Sequence, residues 1–212
     1  MQAAHLAARN FASHLRDNPY PGRGLVIGRS SLEHGWVMLY WIMGRSAQSR
    51  NRRFVVEGGT LRTAPIDPQL LTDPSLIIYE AMLELPGIYL VSNGTQTRTM
   101  YETLSTGGTF DAALAQWQHE PDAPNYTPRI SAMLMLAQQH VTLSLLKANP
   151  IDPASTDRYT YRPAVPAQRD CYTQAEGVLK VTSMDTNPSH LLYSAAGYDK
   201  SVQEVLARIR IK

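Results

Sequence analysis

The sequence predicts an α+β fold of stacked, paired strands with helices outside them. Short apolar runs closed by Gly, Asn or Pro turns recur along most of the chain. Helical periodicity is confined to the two ends and one central stretch, and strands and helices do not alternate as βαβ units, which disfavours a parallel sheet. No internal repeat or low-complexity tail interrupts the pattern.

Taken in order, residues 2–17 read as an amphipathic helix, with Ala7, Phe11 and Leu15 on one side, stopped by Asn18-Pro19-Tyr20-Pro21-Gly22. Gly24–Arg29 and Gly35–Met43 form a hairpin, and the second strand is apolar enough to be covered on both faces. Glycines 22, 24 and 28 do not make a dinucleotide loop, because the spacing is wrong and a strand follows where a helix is required. A second hairpin, Phe54–Val56 with Thr60–Thr63, turns at Gly58-Gly59, and Leu76–Tyr79 resumes an extended pattern towards Met82. Ile88–Ser92 is a strand closed by Asn93-Gly94, a pair suited to a tight turn through positive φ. Thr95–Leu104 and Thr109–Trp117 are helices, the latter capped by Thr109. After a polar connection over 119–129, Ile130–Leu136 and Val141–Leu146 pair around Gln138-Gln139. The proline-bearing segment 149–170 holds a short strand at Tyr159–Tyr161, Val178–Ser183 and Leu191–Ser194 are further strands, and Asp199–Ile209 closes the chain as a helix.

The 212 residues fit one domain with a sizeable core. With 43% apolar and 18% charged residues the composition is that of a globular protein, and no apolar run approaches the roughly 18 residues of a membrane span. The first residues lack a basic segment followed by an apolar run, so a cytoplasmic location is expected. Cys171 is the only cysteine, and the six histidines show no i, i+4 pair, so neither a disulfide nor a metal centre is expected. Net charge is only +2, yet the basic residues are 16 Arg against 4 Lys, a skew towards the side chain that grips phosphate and carboxylate in a bidentate fork. A nucleic-acid surface normally carries a larger basic excess, so a small anionic ligand fits better.

Tyr40–Arg53 concentrates that skew, delivering Gly44 and then Arg45, Arg50, Arg52 and Arg53 at the end of an apolar strand. Crowded guanidinium groups repel, so they either face water as a solvated loop or surround an anion. Two further small polar motifs stand at strand ends, Ser92-Asn93-Gly94-Thr95 and Asn125-Tyr126-Thr127-Pro128-Arg129. No Gly-x-Ser-x-Gly elbow and no phosphate loop ending in Gly-Lys-Ser/Thr occurs. What remains suits a phosphorylated, planar, amide-bearing molecule: Arg for phosphate, Asn for amide groups, Tyr for stacking or a hydrogen bond.

Tyr20-Pro21-Gly22-Arg23, Gly44-Arg45-Ser46 to Asn51-Arg52, Ser92-Asn93-Gly94-Thr95-Gln96-Thr97, Thr127-Pro128-Arg129-Ile130 and Tyr172-Thr173-Gln174 stand in the order seen in archaeal-type IMP cyclohydrolases and their bacterial relatives. The chain resembles that family over roughly residues 20–180. The resemblance implies a single domain built as a four-layer αββα sandwich, two stacked, mainly antiparallel sheets flanked by helices, similar to N-terminal-nucleophile hydrolases. It implies closure of 5-formamidoimidazole-4-carboxamide ribotide to IMP without metal or organic cofactor. It also implies homo-oligomeric assembly, with a ribonucleotide as ligand and neither nucleic acid nor membrane as partner. Met1 and Gln2 are not the nucleophile that such hydrolases expose, so the fold likeness carries no such chemistry.

By the same resemblance Arg52, Tyr79, Glu120 and Tyr172 fall at the reacting centre, while Arg23, Arg45, Asn51, Asn93, Gly94 and Arg129 hold phosphate, ribose or base. Arg52 is placed for the oxyanion and Glu120 for proton transfer. Each has a plainer reading: Arg129 as a simple ion pair, Tyr79 as core, Glu120 as an exposed loop residue, Tyr172 as packing. The chain departs from archaeal members in its helix over 2–17 and in Ala47-Gln48-Ser49-Arg50, where they carry a shorter Phe-Pro insert. A cyclohydrolase for a related ribotide, a binding module that keeps the pocket without turnover, and a nucleic-acid binder using Arg45–Arg53 are the competing readings; the last predicts affinity falling steeply with salt.

Overall fold

The computed structural model describes residues 9, 12–20, 22–29, 35–44, 46–163, 178–182, 191–193 and 206–211. They fall into two compact units, Met1–Met43 with Ala164–Lys212, and Gly44–Pro163. Each contains one antiparallel sheet, so the α+β expectation holds. Among the described residues no helix is long and apolar enough to cross a membrane.

Of the helix expected over 2–17, Ala12–Arg16 form a π-helix, while residues 2–8, 10 and 11 lie outside the described residues. Strands β1 (Arg23–Arg29) and β2 (Trp36–Ile42) pair in register from Arg23 opposite Ile42 to Arg29 opposite Trp36. Their connecting turn lies outside the described residues. Leu25, Val26 and Ile27 are all buried, whereas on β2 only the end, Tyr40-Trp41-Ile42, is covered on both faces; Val37 and Leu39 are partly exposed. Gly24 faces Trp41, and a β-carbon there would lie 1.9 Å from the indole, so this glycine makes room for a ring rather than for a phosphate.

β10 (Val178–Thr182), β11 (Leu191–Tyr193) and β12 (Leu206–Ile211) complete the sheet in the order β11-β10-β1-β2-β12. The helix expected over Asp199–Ile209 is therefore corrected: residues 206–209 are strand, paired along β2, and 199–205 lie outside the described residues. Ala207, Ile209 and Ile211 alternate with Arg208 and Arg210, a period of two that the open edge of β2 can satisfy.

The second unit is a meander of seven strands, β3 (Arg53–Glu57), β4 (Thr60–Ala64), β5 (Glu80–Leu85), β6 (Ile88–Ser92), β7 (Arg129–Met135), β8 (His140–Ala148) and β9 (Thr156–Tyr161), each beside the next. The basic stretch before it contains a single helical turn, α1 (Ala47–Arg50), where Ser46 and Ser49 cap each other reciprocally. The strand expected at Leu76–Tyr79 is corrected to a turn, with Ile77 and Ile78 N–H groups donating to the Pro74 carbonyl at 3.0 and 2.9 Å. Asp73 Oδ1 accepts from the Ser75 N–H at 2.9 Å, a local bond that competes with the ladder, so β5 starts at Glu80.

Helices α2 (Gln96–Ser105) and α3 (Phe110–Leu114) separate β6 from β7. Thr109 caps α3, its hydroxyl accepting from Ala112 N–H at 3.1 Å, but the helix stops short of the expected Trp117. So short a helix is held by packing rather than propensity: Phe110, Ala113 and Leu114 join Met100 of α2 against Leu90 and Met133 of the sheet. Burial of each large apolar side chain stabilises by about 1.5–3 kcal/mol, enough to hold both helices on this face.

Candidate functional site

Strand direction alternates across the seven-stranded sheet, so the starts of β3, β5, β7 and β9 share one end with the finishes of β4, β6 and β8. Asn51 and Arg52 precede β3, Tyr79 precedes β5, Asn93 and Gly94 follow β6, and Arg129 opens β7. Glu120 reaches the same end because its N–H donates to the Thr127 carbonyl at 2.8 Å, two residues ahead of β7. Asp122 closes that loop, its carboxylate oxygens accepting from the Thr127 N–H and hydroxyl, both at 2.6 Å.

At the centre lies a buried polar chain. Asn93 is fully buried; its Nδ2 donates to the Pro128 carbonyl at 2.8 Å, and its Oδ1 accepts from the Ile130 N–H at 2.8 Å and from Gln96 Nε2 at 3.1 Å. Gln96 Oε1 in turn accepts from Arg129 Nη1 at 3.0 Å. The same Nη1 stands 4.0 Å from Glu120 Oε1, with the two side chains 7% and 1% exposed. The exposed-loop reading of Glu120 is thereby excluded. Two opposite charges this deep are tolerable only in company, and the Arg129 guanidinium also lies over the Trp117 ring at 4.8 Å.

Gly94 leaves space here rather than serving turn geometry, since it does not sit at the positive φ that the tight-turn expectation implied. A β-carbon would stand 2.6 Å from both Arg129 Nη1 and Gln96 Oε1. Gly94→Ala is therefore expected to push these buried ends apart and cost about 1–3 kcal/mol. A shift of the urea midpoint reads this; an unmoved midpoint discards the crowding argument.

On the other side of the same sheet end, Asn51 exchanges hydrogen bonds with Asp67, Nδ2 donating to its carbonyl at 2.7 Å and Oδ1 accepting from its N–H at 2.8 Å. Its amide is thus committed to fixing the loop after β4, and Arg52 follows it, half-buried, at the mouth of β3. Tyr79 is 5% exposed. Its N–H donates to the Thr63 hydroxyl at 2.9 Å, and that hydroxyl donates to the Ile77 carbonyl at 2.8 Å. Tyr79 and Trp117 both line a cavity of about 400 Å³ whose wall also includes Arg62, Thr63, Glu80, Thr95, Arg98 and Thr99.

The charges around that cavity are paired. Arg98 donates through Nε to Glu80 Oε2 at 2.7 Å and through Nη2 to Oε1, which raises the guanidinium further above its ordinary value. Arg62 grips Glu57 in the same forked way, and its hydrogen bonds hold the Glu57 carboxyl below the usual range. Among the described residues no group of three His, Cys, Asp or Glu is placed to hold a metal ion.

Of the residues expected at the site, Arg45 and Tyr172 lie outside the described residues, and Arg23 opens β1 in the other unit. Gln96, Thr63, Trp117 and Arg158 were not anticipated. Gln96 stands inside one of the small polar motifs, and no other local signal marks its burial. Arg158, on β9, donates Nη1 to the Leu114 carbonyl at 3.0 Å and Nη2 to the Trp117 carbonyl at 2.5 Å, a long-range contact without sequence signature.

Compared with protein families, residues 20–206 match the model described as IMP cyclohydrolase-like protein, a reach beyond the residue 180 at which the motifs fade. No curated protein matches the chain.

Proposed function

Because this chain belongs to the IMP cyclohydrolase-like protein family, we propose that it closes 5-formamidoimidazole-4-carboxamide ribotide to IMP, with loss of water. The carboxamide nitrogen attacks the formyl carbon of the same molecule, so much of the barrier is met by holding the two groups in attack geometry. Negative charge grows on the formyl oxygen, and a proton must leave the nitrogen. Arg52 is assigned to the oxyanion, Glu120 to the proton, directly or through water, and Tyr79 and Tyr172 to orienting the heterocycle. Asn93, Gly94 and Arg129, with Arg23 and Arg45, are assigned to the ribotide.

The observation that carries this reading is the buried Asn93–Gln96–Arg129–Glu120 chain at the sheet end that also bears Arg52 and Tyr79. A protein seldom buries a charge pair with its own amide scaffold for stability alone, since an apolar replacement is often as stable. Family membership across both units favours a single activity. Four-layer stacking of the two sheets, one functional domain, homo-oligomeric assembly, a cytoplasmic setting and independence of metal and organic cofactor belong to the same proposal.

The test is formation of IMP from the formamido ribotide by the purified full chain, followed by absorbance without added metal. Turnover above the uncatalysed rate supports the reading. Tight binding of IMP without turnover replaces it with a ribotide-binding module.

A further inference from the structure

We propose that Trp117 is the platform on which the planar heterocycle of the ribotide stacks, an inference that rests on reading this site as a ribotide site. Trp117 lines the cavity with Tyr79, Thr95 and Thr99. Half-buried, it packs against the Leu90–Met100–Phe110 cluster and also forms part of the cavity wall. The Arg129 guanidinium lies over the indole, 4.8 Å from its centre.

Its backbone is fixed from β9 as well. Arg158 donates to the carbonyls of Leu114 and Trp117, and two residues on, His119 Nδ1 lies 2.8 Å from the Thr156 hydroxyl. The Glu120 N–H bond to Thr127 closes the stretch. The main chain is thus held before any ligand arrives, and the apolar cluster and Arg129 hold the indole on it, so a stacked ring loses little to side-chain ordering. A flat indole with a guanidinium beside it suits an imidazole carboxamide or a purine. Arg158 acts here as a positioning residue, since it reaches the ring only through the main chain.

The experiment is titration of the full chain with IMP, read by tryptophan emission and by calorimetry, for the wild type, Trp117→Phe and Trp117→Leu. Trp36 and Trp41, both buried in the other unit, also emit, and the Trp117→Phe titration reads their response alone. IMP is expected to change emission in the wild type but not in Trp117→Phe, which keeps a ring and hence most of the affinity. Trp117→Leu is expected to weaken binding about tenfold or more, the scale of base–aromatic stacking. Unchanged emission on IMP binding, affinity of the leucine variant within about twofold of wild type, or no IMP binding at all overturns the platform. Ring closure measured in parallel separates the two readings. Closure without the emission signature retires Trp117 and keeps the reaction; the signature without closure keeps the platform and retires the reaction.

Discussion

Arg129→Ala is expected to cost about 3–5 kcal/mol of stability, the scale seen when one member of a buried ion pair is removed. Glu120, 1% exposed, would lose the cation 4.0 Å from its Oε1. Gln96 would lose the donor on its Oε1, and Trp117 the guanidinium over its ring. Domains are typically stable by only about 5–15 kcal/mol, so the variant should stay folded marginally if at all. Changing both charges at once, Arg129→Met with Glu120→Leu, is expected to cost less than Arg129→Ala alone, because neither member of the pair is then left buried without the other. Denaturant midpoints of the three proteins decide it. A loss below about 1 kcal/mol for Arg129→Ala, the scale of an exposed pair, would mean that solvent reaches Glu120.

How much of this was legible in the sequence follows from the range of the forces involved. Two hairpins of the meander, β3 with β4 and β7 with β8, were legible because their determinants are local, apolar runs around Gly58-Gly59 and around Gln138-Gln139, and so was the Thr109 cap of α3. Asp199–Ile209 was misjudged because Val202, Val205, Leu206 and Ile209 fit a helical period while Ala207, Ile209 and Ile211 fit a strand period, and the decision rests with the distant edge of β2. Trp117 was assigned to a helix, yet the helix stops at Leu114 and Arg158 takes the carbonyls of Leu114 and Trp117 from 44 and 41 residues away.

The candidate site divides the same way. Asn93, Gly94 and Arg129 stood out as polar motifs at the ends of apolar runs, and those ends meet because the strands alternate in direction. Glu120 had no such flag; its burial comes from the Thr127 bond and from Arg129, neither predictable from a Pro-bearing polar loop. Asn51 was readable as a polar residue of the arginine-rich stretch, but not its engagement with Asp67, which ties it to loop architecture.

Arg52→Ala is expected to lower the rate of ring closure by about 10²–10³, the usual effect of removing an oxyanion donor, while stability moves by less than about 1 kcal/mol. Arg52 is half-buried just before β3 and so less deeply set than Arg129. Arg53, the next residue, is exposed and opens β3, which makes it the natural control. If the arginine-rich stretch acted only as a diffuse positive field, Arg53→Ala and Arg52→Ala would weaken turnover alike, and added salt would erase the difference between them and wild type. If Arg52 meets the developing oxyanion, Arg53→Ala is expected to be near wild type, and Arg52→Lys to recover only part of the rate, because an ammonium keeps the charge without the planar fork. The loss should fall on kcat rather than on KM, since the charge it stabilises exists only in the transition state. A fall in KM-dependent binding with kcat intact would move Arg52 from the reacting oxygen to the phosphate, and equal rates for Arg52→Ala and wild type would remove it from the site.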